Sequence, residues 1–187
     1  MPSIYFVSDT HFGHTACWQT FKAKKPGTNS SEGSTDPMRP FTSTEEMNET
    51  MIANWNRVVQ PNDKVYHLGD FAIAKKNIAV AGRLNGDKIL VRGNHDIYPL
   101  KEYTWYFRDV RGSHKLENYV MTHIPIHPDS VARWCDGNIH GHLHDGFVPH
   151  PKWPSKPDPR YYCVSVERID YTPIEFGELK ERFKAQQ

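Results

Sequence analysis

Three short, mainly apolar runs, Ile4-Tyr5-Phe6-Val7, Lys64-Val65-Tyr66-His67-Leu68 and Lys88-Ile89-Leu90-Val91, each stop at a small polar cluster: Ser8-Asp9, Gly69-Asp70 and Gly93-Asn94-His95-Asp96. Runs of this length and make-up predict buried strands. Between the first two, the overlapping capping-box residues Thr42 to Glu46 start a helix that carries Met47, Met51, Trp55 and Val58 on one face, and Pro61-Asn62-Asp63 closes it. Between the second and third, Lys75 to Leu84 is predicted helical, and Asn85-Gly86-Asp87 turns the chain. Strands alternating with helices specify an α/β sheet.

The rest of the chain continues the pattern. Two strands are expected to pair across Glu117-Asn118, the second running from Tyr119 to Thr122 into His123. Ile139 leads into Gly141-His142-Leu143-His144, Lys152 to Pro159 reads as a proline-rich loop, Tyr161 to Val166 alternates as a strand, and Phe176 to Ala185 closes the chain as a helix. The stretch of about 22–41, rich in Ser, Thr, Gly, Pro and Lys, reads as an inserted surface loop in a single domain spanning residues 1–187. That length is enough to bury one core.

Composition removes several function classes. No apolar run approaches the ~20 residues a bilayer span needs, and the start, Met1-Pro2-Ser3-Ile4, has no basic flank of a secretory signal. No membrane partner and a cytoplasmic location are therefore expected. Cys17, Cys135 and Cys163 are too widely spaced for a zinc ribbon, and reduced thiols fit that compartment. A formal net charge of +1 provides no broad field for nonspecific nucleic-acid binding. The 11 histidines matter more, because imidazole is both a metal ligand and an acid–base group.

Asp9 and His11, Asp70, Asn94 with His95 and Asp96, His123, and His142 with His144 all follow an expected strand end. In an open α/β sheet ligands bind beyond the carboxyl ends of the strands. These positions thus gather carboxylates, an amide and imidazoles at one edge, a donor set suited to Mn, Fe, Zn, Co or Ni. Two such cations about 3.5–4 Å apart neutralise a phosphate ester and lower the pKa of a bound water. His142 and His144, two residues apart, lie on the same side of an extended strand.

In order and spacing, Asp9-x-His11, Gly69-Asp70, Gly93-Asn94-His95-Asp96, His123 and Gly141-His142-x-His144 resemble the five motifs of calcineurin-like metallophosphoesterases, in particular a small bacterial and phage-type branch. The resemblance implies a four-layer α/β/β/α sandwich with a dinuclear centre. It assigns Asp9, His11 and His144 to one cation, Asn94, His123 and His142 to the second, and Asp70 to both. It makes His95 the acid for the leaving group, with Asp96 orienting it, and a metal-activated hydroxide the nucleophile. The implied cofactor is two divalent ions, manganese first and iron, zinc, nickel or cobalt as the others.

The expected activity is hydrolysis of a phosphodiester, or secondarily a phosphomonoester, with a nucleotide or nucleic-acid end as the substrate class. Arg39 and Arg92 are candidate phosphate clamps, since guanidinium matches phosphate oxygens, and His14 and His67 are candidate substrate contacts. For both histidines a purely structural role competes. Two other function classes stand beside the hydrolase: a non-catalytic metal-bound interaction module on the same fold, and a protein phosphatase.

Overall fold

The computed structural model describes residues 2–186 apart from Pro26, and the backbone alone for residues 132–134. In chain order the elements are β1 (Ile4–Val7), α1 (Ala16–Gln19), α2 (Thr44–Val58), β2 (Lys64–His67), β3 (Asp87–Val91), α3 (Leu100–Tyr103), β4 (Asp109–Arg111), β5 (His114–Leu116), β6 (Tyr119–Met121), α4 (Pro128–Trp134), β7 (Gly137–His140), β8 (Tyr161–Cys163), β9 (Ile174–Glu175) and α5 (Phe176–Gln186).

The three strands expected from the apolar runs are β1, β2 and β3. They pair in parallel register, Tyr5 beside Val65 and Val65 beside Lys88. They form a five-stranded sheet in the order β4-β3-β2-β1-β9, in which β9 alone runs antiparallel. A second sheet has the order β5-β6-β7-β8. Its β5–β6 hairpin turns at Glu117-Asn118 as expected, and β6, β7 and β8 are parallel. The protein is therefore a mixed α/β structure with two mostly parallel sheets.

The two sheets share one apolar core. Phe6 and Leu90 from the first sheet, Met121 and Ile139 from the second, and Leu179 and Phe183 of α5 are all buried in it. Phe176 joins the sheets directly, its ring 5.4 Å from Phe6 and 6.0 Å from Tyr119. The α2 helix starts as its sequence demands: Ser43 accepts from the Glu46 backbone N–H at 3.0 Å, and Glu46 reaches back to Thr42. Its apolar face buries Met47, Met51, Ile52 and Trp55, and Val58 is half-buried. No helix among the described residues is long and apolar enough to cross a membrane.

The stretch expected to be helical from Lys75 to Leu84 winds over Lys75 to Arg83 as a 3₁₀ rather than an α-helix. No side chain caps its start, and Ile78, Val80 and Gly82 are weak α-helix formers. Asn77 instead uses its side-chain N–H to hold the Phe12 carbonyl at 3.2 Å.

One junction positions the site. Just past β1 and β8, Ser8 pairs with Ser165: the Ser8 N–H donates to Val164 O at 2.8 Å and the Val166 N–H to Ser8 O at 3.1 Å. This short parallel bridge brings the C-terminal ends of strands from both sheets together. The candidate ligands therefore converge from two sheets rather than along the edge of one.

Candidate metal centre

The β1 and β2 ends interlock through backbone bonds, Asp9 N–H to Gly69 O at 2.9 Å and His11 N–H to Asp70 O at 3.0 Å. Eight described non-glycine residues have positive φ, and Asp9, His11, Asp70, His142 and His144 are five of them, with values from 47° to 68°. That left-handed conformation costs an L-residue free energy and persists only where surrounding contacts impose it.

Three glycines admit the close approach. Gly69 has φ +94°, and a Cβ there would lie 2.6 Å from His123 Nδ1. At Gly93 and Gly141 backbone twist is not the reason: a Cβ would strike the carboxylates of Asp70 and Asp9.

Two groups of donors result. Asp9, His11 and His144 each offer one ligand atom within 4.8 Å of the others, and so do Asp70, His123 and His142. Asp70 lies between the groups, its Oδ2 3.6 Å from His11 Nε2 and 3.3 Å from His123 Nε2. Asn94 Oδ1 is 3.0 Å from His123 Nε2 and thus joins the second group.

Three of the ligands, Asp9, His123 and His144, are oriented by what their other atoms do. Asp9 Oδ2 accepts from Ser8 Oγ at 2.6 Å, Ser165 Oγ at 2.7 Å and the His142 N–H at 2.9 Å. Its Oδ1 is left buried without a partner, as is His11 Nε2. Buried polar atoms in proteins are nearly always satisfied; two orphans facing one space fit a cation there. His123 Nδ1 donates to Leu68 O at 2.8 Å and His144 Nδ1 to Glu167 Oε1 at 3.1 Å, which leaves Nε2 of each ring as the ligand atom.

The electrostatics leave His11 ready to ligate, whereas His123 must release a proton to do so. Burial, reinforced by the Arg39 charge, pushes the His11 pKa well down and keeps its ring neutral. Burial opposes ionisation of Asp70, yet the bond to His123 and the nearby histidines hold its carboxyl below the usual range. Burial alone would lower His123, but the same contact with Asp70 carries it to about 8. The two Asp/His clusters could therefore hold metal ions.

No known protein-family profile matches the chain. It is 33% identical over 183 residues to the uncharacterized protein MJ1445 of Methanocaldococcus jannaschii, an alignment covering 93% of this chain and 87% of that protein. The chain belongs to the family of that archaeal protein. A crystal structure of a protein of unknown function, AQ665 from Aquifex aeolicus, superposes with a TM-score of 0.63 at 25% identity, over 97% of this chain and all of that one. The family's fold thus recurs in that bacterial protein. Two further solved structures align at lower likeness: an archaeal phosphodiesterase (TM-score 0.45, 17% identity, 87% of this chain and 82% of that one) and the phosphopantetheinyl hydrolase of Mycobacterium tuberculosis (TM-score 0.41, 12% identity, 91% of each). Neither is close enough to bear on function.

Within this fold the other sequence candidates sort by burial. His95 stands at the mouth, its side chain half exposed, its Nε2 4.0 Å from Asp70 Oδ2 and its ring 5.4 Å from that of His11. His14 lies beside the first group, its ring 5.5 Å from that of His11. Asp96 does not contact His95 as expected. Its carboxylate is filled by the backbone N–H groups of Asp70 at 2.8 Å, Phe71 at 3.1 Å and Gly93 at 2.8 Å, so it fixes the two loops rather than the imidazole.

Arg39 and His67 are also corrected. Both are wholly buried and cannot meet a substrate. His67 bonds Thr10 Oγ1 at 3.0 Å, packed near Trp55 and Phe71. Arg92 uses Nε to hold the Asp96 carbonyl at 2.9 Å and Nη2 to hold that of Tyr98 at 3.3 Å, closing the turn that carries His95.

Sequence reading missed Ser165 and Glu167. The strand expected over Tyr161 to Val166 ends instead at Cys163, so Ser165 lay hidden inside the expected strand, and neither residue sits in a histidine-bearing motif.

Proposed function

We propose that this protein is a metal-dependent phosphoesterase of the metallophosphoesterase type, one domain with that type's four-layer α/β/β/α arrangement and two divalent cations, manganese first. Asp9, His11 and His144 would hold one cation, Asn94, His123 and His142 the other, and Asp70 both. The observation that carries the reading is the pair of donor groups joined through Asp70, with Asp9 Oδ1 and His11 Nε2 buried and unpartnered beside it.

Bound there, two cations would neutralise a phosphate ester and lower the pKa of a water, as in other paired-metal hydrolases. The chain's own residues do the rest. The Ser8, Ser165 and His142 donors lock the Asp9 carboxylate in one orientation, and the Leu68 carbonyl fixes the His123 ring. His95, exposed and tethered through its backbone N–H to Asp70 Oδ1 at 2.8 Å, would give a proton to the leaving oxygen. The preferred substrate is a nucleotide-like phosphodiester, in the cytoplasm.

The test pairs elemental analysis of the purified protein with hydrolysis of bis(4-nitrophenyl) phosphate and 4-nitrophenyl phosphate after reloading with manganese. About two cations per chain and chelator-sensitive turnover of the diester are expected. Failure of Mn, Ni, Co and Zn alike to restore hydrolysis of either ester would sink the assignment.

A further inference from the structure

The 22–41 insert grips His144 from both sides. At its start, Lys24 donates its backbone N–H to Asp145 Oδ2 and its Nζ to Leu143 O, each at 2.6 Å, and Leu143 and Asp145 flank His144 in the chain. Asn29 pairs reciprocally with the Phe147 backbone, both bonds at 2.9 Å. At the insert's end, Arg39 donates Nε to Glu167 Oε1 at 2.8 Å, and that oxygen also takes the His144 Nδ1–H. The remaining nitrogens of the guanidinium hold the carbonyls of Thr10 at 2.8 Å and Asp9 at 2.5 Å. One wholly buried cation thus touches the backbone of one proposed ligand and, through a buried carboxylate, the ring of another.

We infer that Arg39 and Glu167 form a positioning pair for the first cation site, delivered by the insert: the pair fixes which nitrogen of His144 faces the cation and holds the strained Asp9 turn against it. The inference rests on the metal-centre reading above. The physical logic is specific. A histidine ligand whose second nitrogen donates to a carboxylate is locked in one tautomer and becomes a better donor. A carboxylate alone at that depth would be too costly to bury, and Arg39 neutralises it. The same guanidinium then spends its other N–H groups on the Asp9-Thr10 carbonyls, so the two proposed ligands move as one body.

Removing either partner alone strands a buried charge, so the decisive variant removes both: Arg39→Met combined with Glu167→Leu, an apolar replacement of a kind that buried ion pairs often tolerate. Calorimetric titration with Mn²⁺ should give two cations for the wild type. The double variant should keep one at wild-type affinity and bind the other about 10–100-fold more weakly, with a metal-free melting temperature near that of the wild type. Wild-type affinity at both sites in the folded double variant would overturn the positioning role while leaving the metal centre standing. A wild type that binds no cation would instead overturn the centre and the pair with it. Independently of any variant, long-range ¹⁵N spectra of the zinc-loaded wild type should find His144 protonated at Nδ1 and ligated through Nε2; ligation through Nδ1 would overturn the inference even if the double variant does not fold.

Discussion

Asp9 and His144 are held by side chains, whereas Asp70 and His123 are held by backbone groups. In the first group Ser165 grips Asp9, and Glu167 grips His144 with Arg39 behind it, across separations of up to 156 residues. In the second, the His95 N–H supports Asp70, the Leu68 carbonyl supports His123, and the Gly141 N–H donates to His123 O at 2.9 Å. The difference teaches that one half of a metal centre can be fixed by backbone groups where strands of two sheets meet. The other half depends on hydroxyl and charged side chains, the buried Arg39–Glu167 pair among them.

The largest effect should come from the residue the halves share. Asp70→Asn removes the common carboxylate charge, and both paired binding and hydrolysis should fall to background; two cations retained per chain by elemental analysis would break the comparison at its centre. His95→Ala should leave both halves loaded yet slow diester turnover by ~10²–10⁴-fold, the usual cost of a lost general acid. Unchanged kcat would remove His95 from proton transfer.

Arg39→Met should act on the first half alone. It strands Glu167, whose pKa burial would raise but the Arg39 charge pulls down to about 2, and breaking a buried pair this way costs ~3–5 kcal/mol. Denaturant unfolding of the metal-free variant measures this, and a loss below about 1 kcal/mol, the range of surface pairs, would mean that the pair is not holding the fold. Gly69→Ala is the matching probe of the second half. Its strained φ and the clash with His123 should cost ~1–3 kcal/mol, with the Asp70-side cation weakened first in a Mn²⁺ titration; equal weakening of both sites would erase the distinction. Lys24→Ala should be mildest. Its ion pair with Asp145 is partly open to solvent, so a loss under ~1 kcal/mol is expected, and a shift in thermal melting beyond that would promote the start of the insert to a main support.

Much of the fold was legible because local signals agreed with it. The apolar runs of β1, β2 and β3, the Ser43 cap and the Glu117-Asn118 turn each carry their own physics within a few residues. The elements that escaped, α1, α3, β4, α4 and β9, are two to seven residues long. At that length hydrophobic periodicity carries no signal, and partners in space decide. The same holds at the site. Histidines and aspartates behind glycines stand out in a sequence, whereas an isolated Arg39 reads as a surface clamp until the tertiary structure buries it.

The sequence by itself determined the chemistry available: which donor types occur, in what order, and that they sit where strands end, because strand and turn formation are local. Only the tertiary structure decided that the donors come from two sheets joined at Ser8 and Ser165, that Asp96 serves backbone rather than His95, and that Arg39 and Glu167 stand behind His144. Those are contacts between residues far apart in the chain, and their energies depend on burial and direction, which no local pattern encodes.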